Sequence, residues 1–301
     1  MLKINLRFIA KSLFICYDFS QKGCVLLDFI ELLKAVLFGI VEGVTEWLPV
    51  SSTGHLILLE KFLPLGISEA FYEMFQVVIQ LGAILAVVLL FFRKLNPFCS
   101  QKDVAQKKNT WLLWGKVIVA VLPSAVLGLA FDDWMDAHFY NYVVVSIALI
   151  FYGVAFLFVE KTRKGNLVDS VDAIDWKTAL LIGCFQCLSL IPGTSRSGST
   201  ILGALLLGVS RSAGAEFSFF LAIPTMLGAS ALKLLKFLME DISATATEWG
   251  VLAVGCIVSF LVSVFVIRGL MDYVRKRSFA PFGIYRIALG VLVLGYFGII
   301  A

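Results

Sequence analysis

Charged side chains are scarce here: Asp, Glu, Lys and Arg make up 15% of the 301 residues, against about 25% in an ordinary soluble domain. The formal net charge is only +4 and the basic residues are spread along the chain. No nucleic acid partner is therefore expected. The six cysteines (Cys16, Cys24, Cys99, Cys184, Cys187 and Cys256) have no spacing that suggests a disulfide framework, which excludes a small secreted scaffold. Cys184 and Cys187 form a lone CxxC in an apolar run, without a second pair or a nearby histidine, and read as packing residues. Nor is a cleavable signal clear at the start of the sequence. Residues 1–27 mix Lys3, Arg7, Lys11 and Lys22 with short apolar stretches and offer no small-residue cleavage site. They read as a dispensable N-terminal extension to a single membrane domain over 28–301, and the sequence leaves open whether the mature protein keeps them.

What fills the chain is apolar: 60% of residues are hydrophobic and the mean hydropathy is +0.93. No core of a 301-residue protein holds that much apolar surface, so lipid must cover it. Six stretches, roughly 70–92, 111–131, 141–159, 212–238, 249–268 and 282–300, are apolar and long enough to cross ~30 Å of hydrocarbon. Arg93, Lys94, Lys102, Lys107 and Lys108 follow the first span. Lys161, Arg163 and Lys164 follow the third, and Arg275, Lys276 and Arg277 precede the sixth. These ends belong in the cytoplasm by the positive-inside rule. Asp132, Asp133, Asp136, Glu240, Asp241 and Glu248 mark the other side, with Lys233 and Lys236 running against the rule.

Two regions do not fit as plain spans. Residues 30–65 break at Trp47-Leu48-Pro49-Val50-Ser51-Ser52-Thr53-Gly54-His55, and residues 177–210 break at Ile191-Pro192-Gly193-Thr194-Ser195-Arg196-Ser197-Gly198-Ser199. Charge parity makes the second region leave and return on one side, and its arms are short, so both read as re-entrant helix pairs. Offset by 144 residues, the step from Ser51 to Ser195, the two regions align: Gly39 with Gly183, Gly54 with Gly198, Ile57-Leu58 with Ile201-Leu202, and Glu42 with Gln186. A broken pair followed by three spans in each half indicates a duplication over about 28–160 and 176–300. Three intervening spans, an odd number, put the second copy upside down. The expected fold is an all-α polytopic membrane protein: about six transmembrane helices and two re-entrant pairs in an inverted repeat, with its polar site where the two breaks meet.

Chemistry gathers at those breaks. Glu42 and Glu46 stand one helical turn apart on one face. Inside an apolar segment such a pair marks function. The pair suits a hard cation, Mg²⁺ or Ca²⁺, or one carboxyl can hold a proton for acid–base work. Ser51, Ser52 and Thr53 follow at a new helix start, where hydroxyls cap backbone N–H groups and anions find a seat. His55, three positions after Ser52, is within reach of making it a nucleophile. In the second break Arg196 offers a planar fork to phosphate oxygens, and Thr194, Ser195, Ser197 and Ser199 add donors around it. Together these residues indicate phosphoryl-group hydrolysis on a lipid-borne substrate. An inverted-repeat transporter or lipid flippase is the alternative.

At these residues the chain resembles the undecaprenyl-diphosphate phosphatase family, the bacitracin-resistance proteins of bacterial inner membranes. Glu42-Gly-Val-Thr-Glu46-Trp-Leu-Pro-Val-Ser-Ser-Thr-Gly-His55 is similar to its first motif and Pro192-Gly-Thr-Ser-Arg196-Ser-Gly-Ser-Thr200 to its second. Phe75-Gln-Val-Val-Ile-Gln-Leu-Gly82, Gly183-Cys-Phe-Gln-Cys187 and Glu216-Phe-Ser-Phe219 match as well, and the likeness runs from about residue 28 to the end. It implies a divalent-metal-dependent enzyme that hydrolyses undecaprenyl diphosphate to undecaprenyl phosphate and inorganic phosphate, recycling the carrier for cell-wall synthesis. It makes Glu42 and Glu46 the paired acids, Ser52 and His55 the hydroxyl and imidazole, and Arg196 the phosphate-binding arginine. The expected mechanism is attack by Ser52 with His55 as acid–base partner. His55 itself or a metal-bound water remains an alternative nucleophile. Glu73 and Glu216, near the starts of spans, either line the cavity or face solvent. Gln76, Gln80 and Gln186 read as interhelical hydrogen-bond partners. Oligomeric state stays open, a homodimer included.

Overall fold

The computed structural model describes residues 28–300 apart from 140, 164, 166 and 240–243; the N-terminal extension lies outside them. Twelve α-helices follow one another: α1 (28–45), α2 (Ser52–Phe62), α3 (Glu69–Val78), α4 (Gln80–Leu90), α5 (Phe92–Leu95), α6 (Val104–Phe139), α7 (Tyr142–Thr162), α8 (Trp176–Gln186), α9 (Arg196–Leu206), α10 (Arg211–Met239), α11 (Ala246–Lys276) and α12 (Ala280–Ile300). Two 3₁₀ turns, Val171–Ala173 and Cys187–Leu190, flank α8. No strand occurs among the described residues, only a single bridge between Val168 and Val209.

Among the described residues, six helical segments are long and apolar enough to cross a membrane: Glu69–Leu90 (α3 and α4 together), Val104–Phe131, Tyr142–Thr162, Arg211–Met239, Ala246–Lys276 and Ala280–Ile299. They coincide with the expected spans but run further at the basic ends. α6 starts at Val104 rather than 111 and α11 reaches Lys276 rather than 268, because a helix continues through lysines and arginines that hydropathy counts as its end. Each half of the chain runs through a broken helix pair and then three spans.

Contacts sort the helix ends into two groups. At one end, Glu160 of α7 receives a bidentate pair from Arg211 of α10, 2.5–3.2 Å, and the Phe279 amide before α12, 2.8 Å. Lys94 of α5 meets Glu216 of α10 at 2.8 Å. At the other end, Glu248 of α11 accepts from the Ser68 amide and hydroxyl before α3, and Thr247 donates to Asp28 of α1. The first group gathers the basic loops.

Both feet of each broken pair stand at one end. Glu31 and Lys34 of α1 hold residues 64–66 just past α2, and the Val168–Val209 bridge ties the chain entering α8 to the chain leaving α9. The arms differ in length: α8, α2 and α9 have 11 residues each, or ~16 Å at 1.5 Å per residue, while α1 is longer. Two tight approaches press the site-bearing helices against their neighbours. A Cβ on Gly43 of α1 would lie 2.8 Å from the Ser259 carbonyl oxygen of α11, and one on Gly283 of α12 would lie 2.7 Å from the Gly153 carbonyl oxygen of α7.

Candidate functional site

The two breaks are built alike. Pro49 and Pro192 cannot continue a helix, and the chain turns after each until a serine takes a left-handed backbone: Ser51 with φ 74° and Ser195 with φ 73°. Non-glycine residues rarely accept this conformation, which costs of order 1–3 kcal/mol where the surroundings impose it. Each serine then caps the new helix, its Oγ accepting from the amide three residues on: Gly54 at 3.3 Å and Gly198 at 3.1 Å. The 144-residue offset read from sequence thus reappears as matching backbone strain, matching caps and equal helix lengths.

The breaks meet tip to tip. Arg196 at the start of α9 donates through Nη2 to Glu46 Oε1 at 2.9 Å, and its Nη1 holds the Ser218 carbonyl at 2.7 Å. Ser52 Oγ donates to the other carboxylate oxygen, Glu46 Oε2, at 2.6 Å. One buried carboxylate therefore holds both the first hairpin's hydroxyl and the second hairpin's guanidinium. The face of Trp47 lies under Arg196, 5.7 Å from the guanidinium carbon, which adds a cation–π attraction. Glu42 is fully buried, and neither of its carboxyl oxygens has a hydrogen-bond partner among the described residues. The Arg196 Nε and the Thr194 hydroxyl are likewise buried and unpartnered.

The other expected site residues separate into two sets. Thr53 lies half-buried in the first turn of α2. Ser197 donates to the Glu46 and Leu48 carbonyls at 3.0 and 3.2 Å, and Ser199 donates to the Arg196 carbonyl at 3.0 Å. Ser197 thus ties the second tip to the first, whereas Ser199 bonds within its own helix. Ser195 Oγ is occupied as a cap and by Ser197, 3.2 Å away.

His55 requires a correction. The spacing suggested that it partners Ser52, but its Nδ1 is 2.7 Å from the Ser51 carbonyl and its Nε2 is 2.7 Å from the Tyr285 hydroxyl. Ser52 donates its hydrogen bond to Glu46 instead. On one helix a residue at i+3 is a neighbour, yet the side-chain rotamer decides where its ring goes. Glu216 is engaged by Lys94 and Glu73 is exposed, so neither joins the cluster. Gln186 bridges α6 and α10 through Ser124 and Thr225, at 2.7 and 3.2 Å, as an interhelical partner.

Two residues of α12 belong to the site and were not singled out from sequence. Arg286, fully buried, donates to the Pro49 carbonyl at 3.0 Å and to the Gly193 and Thr194 carbonyls at 2.8 and 2.9 Å. It binds one tip with Nη1 and the other with Nη2. Its signal was present: an arginine inside the apolar stretch 282–300, where a charge marks function by default. Tyr285 gave no such signal. Ser218 of α10, which anchors Arg196, was equally silent.

The described residues contain no group of three or more His, Cys, Asp and Glu side chains placed to hold a metal. A cation would have Glu42 with two free oxygens and Glu46 with both oxygens in use. The buried, unpartnered Glu42 carboxyl fits a hard cation.

These features define a polytopic α-helical membrane protein whose two broken helix pairs close around a buried carboxylate–hydroxyl–guanidinium centre. The chain belongs to the bacitracin resistance protein BacA family, whose profile matches residues 35–292. It is 56% identical over 273 residues to the undecaprenyl-diphosphatase of Lactiplantibacillus plantarum, covering 90% of this chain and 99% of that one. It is 55% identical over 270 residues to the undecaprenyl-diphosphatase of Enterococcus faecalis (89% and 98%). Identity to undecaprenyl-diphosphatase 1 of Clostridioides difficile is 57% over 270 residues (90% and 97%).

Proposed function

We propose that this protein hydrolyses undecaprenyl diphosphate to undecaprenyl phosphate and inorganic phosphate in the bacterial plasma membrane, returning the lipid carrier to cell-wall synthesis and so supporting bacitracin resistance. Both broken pairs are re-entrant, entering and leaving the bilayer on the same side. The single observation that carries the reading is the Glu46 carboxylate, which receives Ser52 at 2.6 Å and Arg196 at 2.9 Å from opposite halves of the chain.

In this reading the terminal phosphate draws Arg196 toward its own oxygens, and the Arg196 Nε and Thr194 hydroxyl gain the acceptors they lack. The starts of α2 and α9 add backbone donors. Ser52 Oγ attacks the terminal phosphorus as its proton passes to Glu46. The bond from phosphorus to the bridging oxygen breaks and the lipid monophosphate departs. Water then cleaves the phosphoserine: one of its protons passes to His55 Nε2 and leaves with the inorganic phosphate, and Glu46 returns its own proton to Ser52. Phosphoryl transfer depends chiefly on such positioning and charge. Glu42, with the Glu46 oxygen that Arg196 gives up to the phosphate, would hold Mg²⁺ or Ca²⁺, which would neutralise charge on the phosphate oxygens.

The test is phosphate release from a polyprenyl diphosphate by the purified protein in detergent, where a transporter has no second compartment to serve. Release that Ser52→Ala and Arg196→Ala each abolish supports the reading. A folded wild type that releases none overturns it. Trapped phosphate on Ser52 supports the serine route, and phosphate on neither Ser52 nor His55 replaces it with attack by water.

A further inference from the structure

The hydrogen bonds of His55 contain more information than its position. A backbone carbonyl can only accept, so the 2.7 Å contact to the Ser51 carbonyl places the ring hydrogen on Nδ1. In the neutral imidazole Nε2 then carries the lone pair. That nitrogen faces the Tyr285 hydroxyl at 2.7 Å, with the two ring planes 3° apart and their centroids 5.7 Å from each other. Tyr285 stands 230 positions away in sequence, and its helix is locked in place by the next residue. Arg286 reaches the Pro49, Gly193 and Thr194 carbonyls, fixing α12 against both tips. The phenol is not a packing residue by burial, being 46% exposed.

We propose that Tyr285 is a positioning residue for the reaction: with the Ser51 carbonyl setting the Nδ1–H tautomer, the Tyr285 hydroxyl donates to Nε2 and holds the His55 ring in place until the reaction takes over that nitrogen. Two constraints then hold the ring: the Ser51 carbonyl at Nδ1 and, at Nε2, the phenol of Tyr285 with its ring parallel to the imidazole. Tyr285 acts through His55, and the kinetic part of this inference rests on the phosphatase reading above.

The chain has two histidines, so histidine-selective ¹⁵N labelling with His138→Gln as background leaves one imidazole to observe. The spectrum is taken near pH 8, above the ordinary imidazole value of about 6.5, in the detergent-solubilised full chain without substrate. The wild-type Tyr285 background should show the Nδ1–H tautomer. Tyr285→Phe keeps the ring and removes the hydroxyl. It should shift the His55 Nε2 resonance and lower kcat about threefold to tenfold, the factor one neutral hydrogen bond makes, with KM within about twofold. An Nε2–H tautomer in the wild-type background overturns the proposal. So does a Tyr285→Phe spectrum identical to its parent, a raised KM with unchanged kcat, or a fall in kcat without any change at His55. Because the spectrum needs no substrate, absence of phosphate release by the wild type would count against the phosphatase reading and leave the tautomer assignment standing.

Discussion

Arg286→Met removes a side chain of α12 that grips both tips. Three charge-assisted hydrogen bonds, at 3.0, 2.8 and 2.9 Å, disappear. At about 1.5–3 kcal/mol each, their gross worth is about 5–9 kcal/mol. Against this, burying the guanidinium costs several kcal/mol that methionine does not incur. Replacing all partners of a buried charge by apolar groups is often neutral for that reason. Here the three carbonyls stay behind without their donor, each at a cost of about 1–3 kcal/mol. The net loss should therefore resemble a broken buried pair, about 3–5 kcal/mol. Activity should fall further than stability, because a displacement of about 1 Å between Ser52 and Arg196 costs on the order of a hundredfold. Arg286→Lys, with a compact ammonium in place of the fork, should lie between the two. The assays are thermal unfolding in detergent and phosphate release at a temperature where both variants remain folded. A methionine variant with wild-type melting and wild-type kcat would refute the claim that this arginine joins the halves.

Glu46→Gln keeps the shape but cannot take the Ser52 proton, so kcat should drop by about 10²–10⁴; a folded variant within threefold of wild type would remove Glu46 from the proton's path. Ser51→Ala loses the cap but keeps φ 74° and should destabilise by about 1 kcal/mol. Ser51→Gly relieves the backbone and should melt near the wild type, so equal melting of the two would discount the strain. Chelation should abolish phosphate release, and Mg²⁺ or Ca²⁺ should restore it in the wild type but much less in Glu42→Gln; restoration equal in both would exclude Glu42 as a ligand.

The spans, the two breaks and their internal resemblance were legible along the chain because each depends on local composition. About 20 apolar residues make a crossing, and a proline with hydroxyls after it ends one helix and caps the next. The opposition of Arg196 and Glu46 followed as well, since an odd number of spans between two copies points their breaks toward each other. The partners within that meeting were not legible. Ser52 turns to Glu46 at i−6 rather than to His55 at i+3, and His55 turns to Tyr285 on α12. Hydropathy says that a helix crosses, not how it is rotated about its axis, and that rotation selects which of its side chains reach a neighbour.

The sequence by itself determined a lipid-embedded, duplicated helical chain with acid, hydroxyl and guanidinium groups at two kinks, because burial free energy and helix-breaking chemistry are properties of short segments. Only the tertiary structure decided that one carboxylate serves both halves, that Glu42 is buried without a partner, and that α12 supplies Arg286 and Tyr285. Those facts depend on distances between residues 92 to 237 positions apart, which are set by how the helices pack.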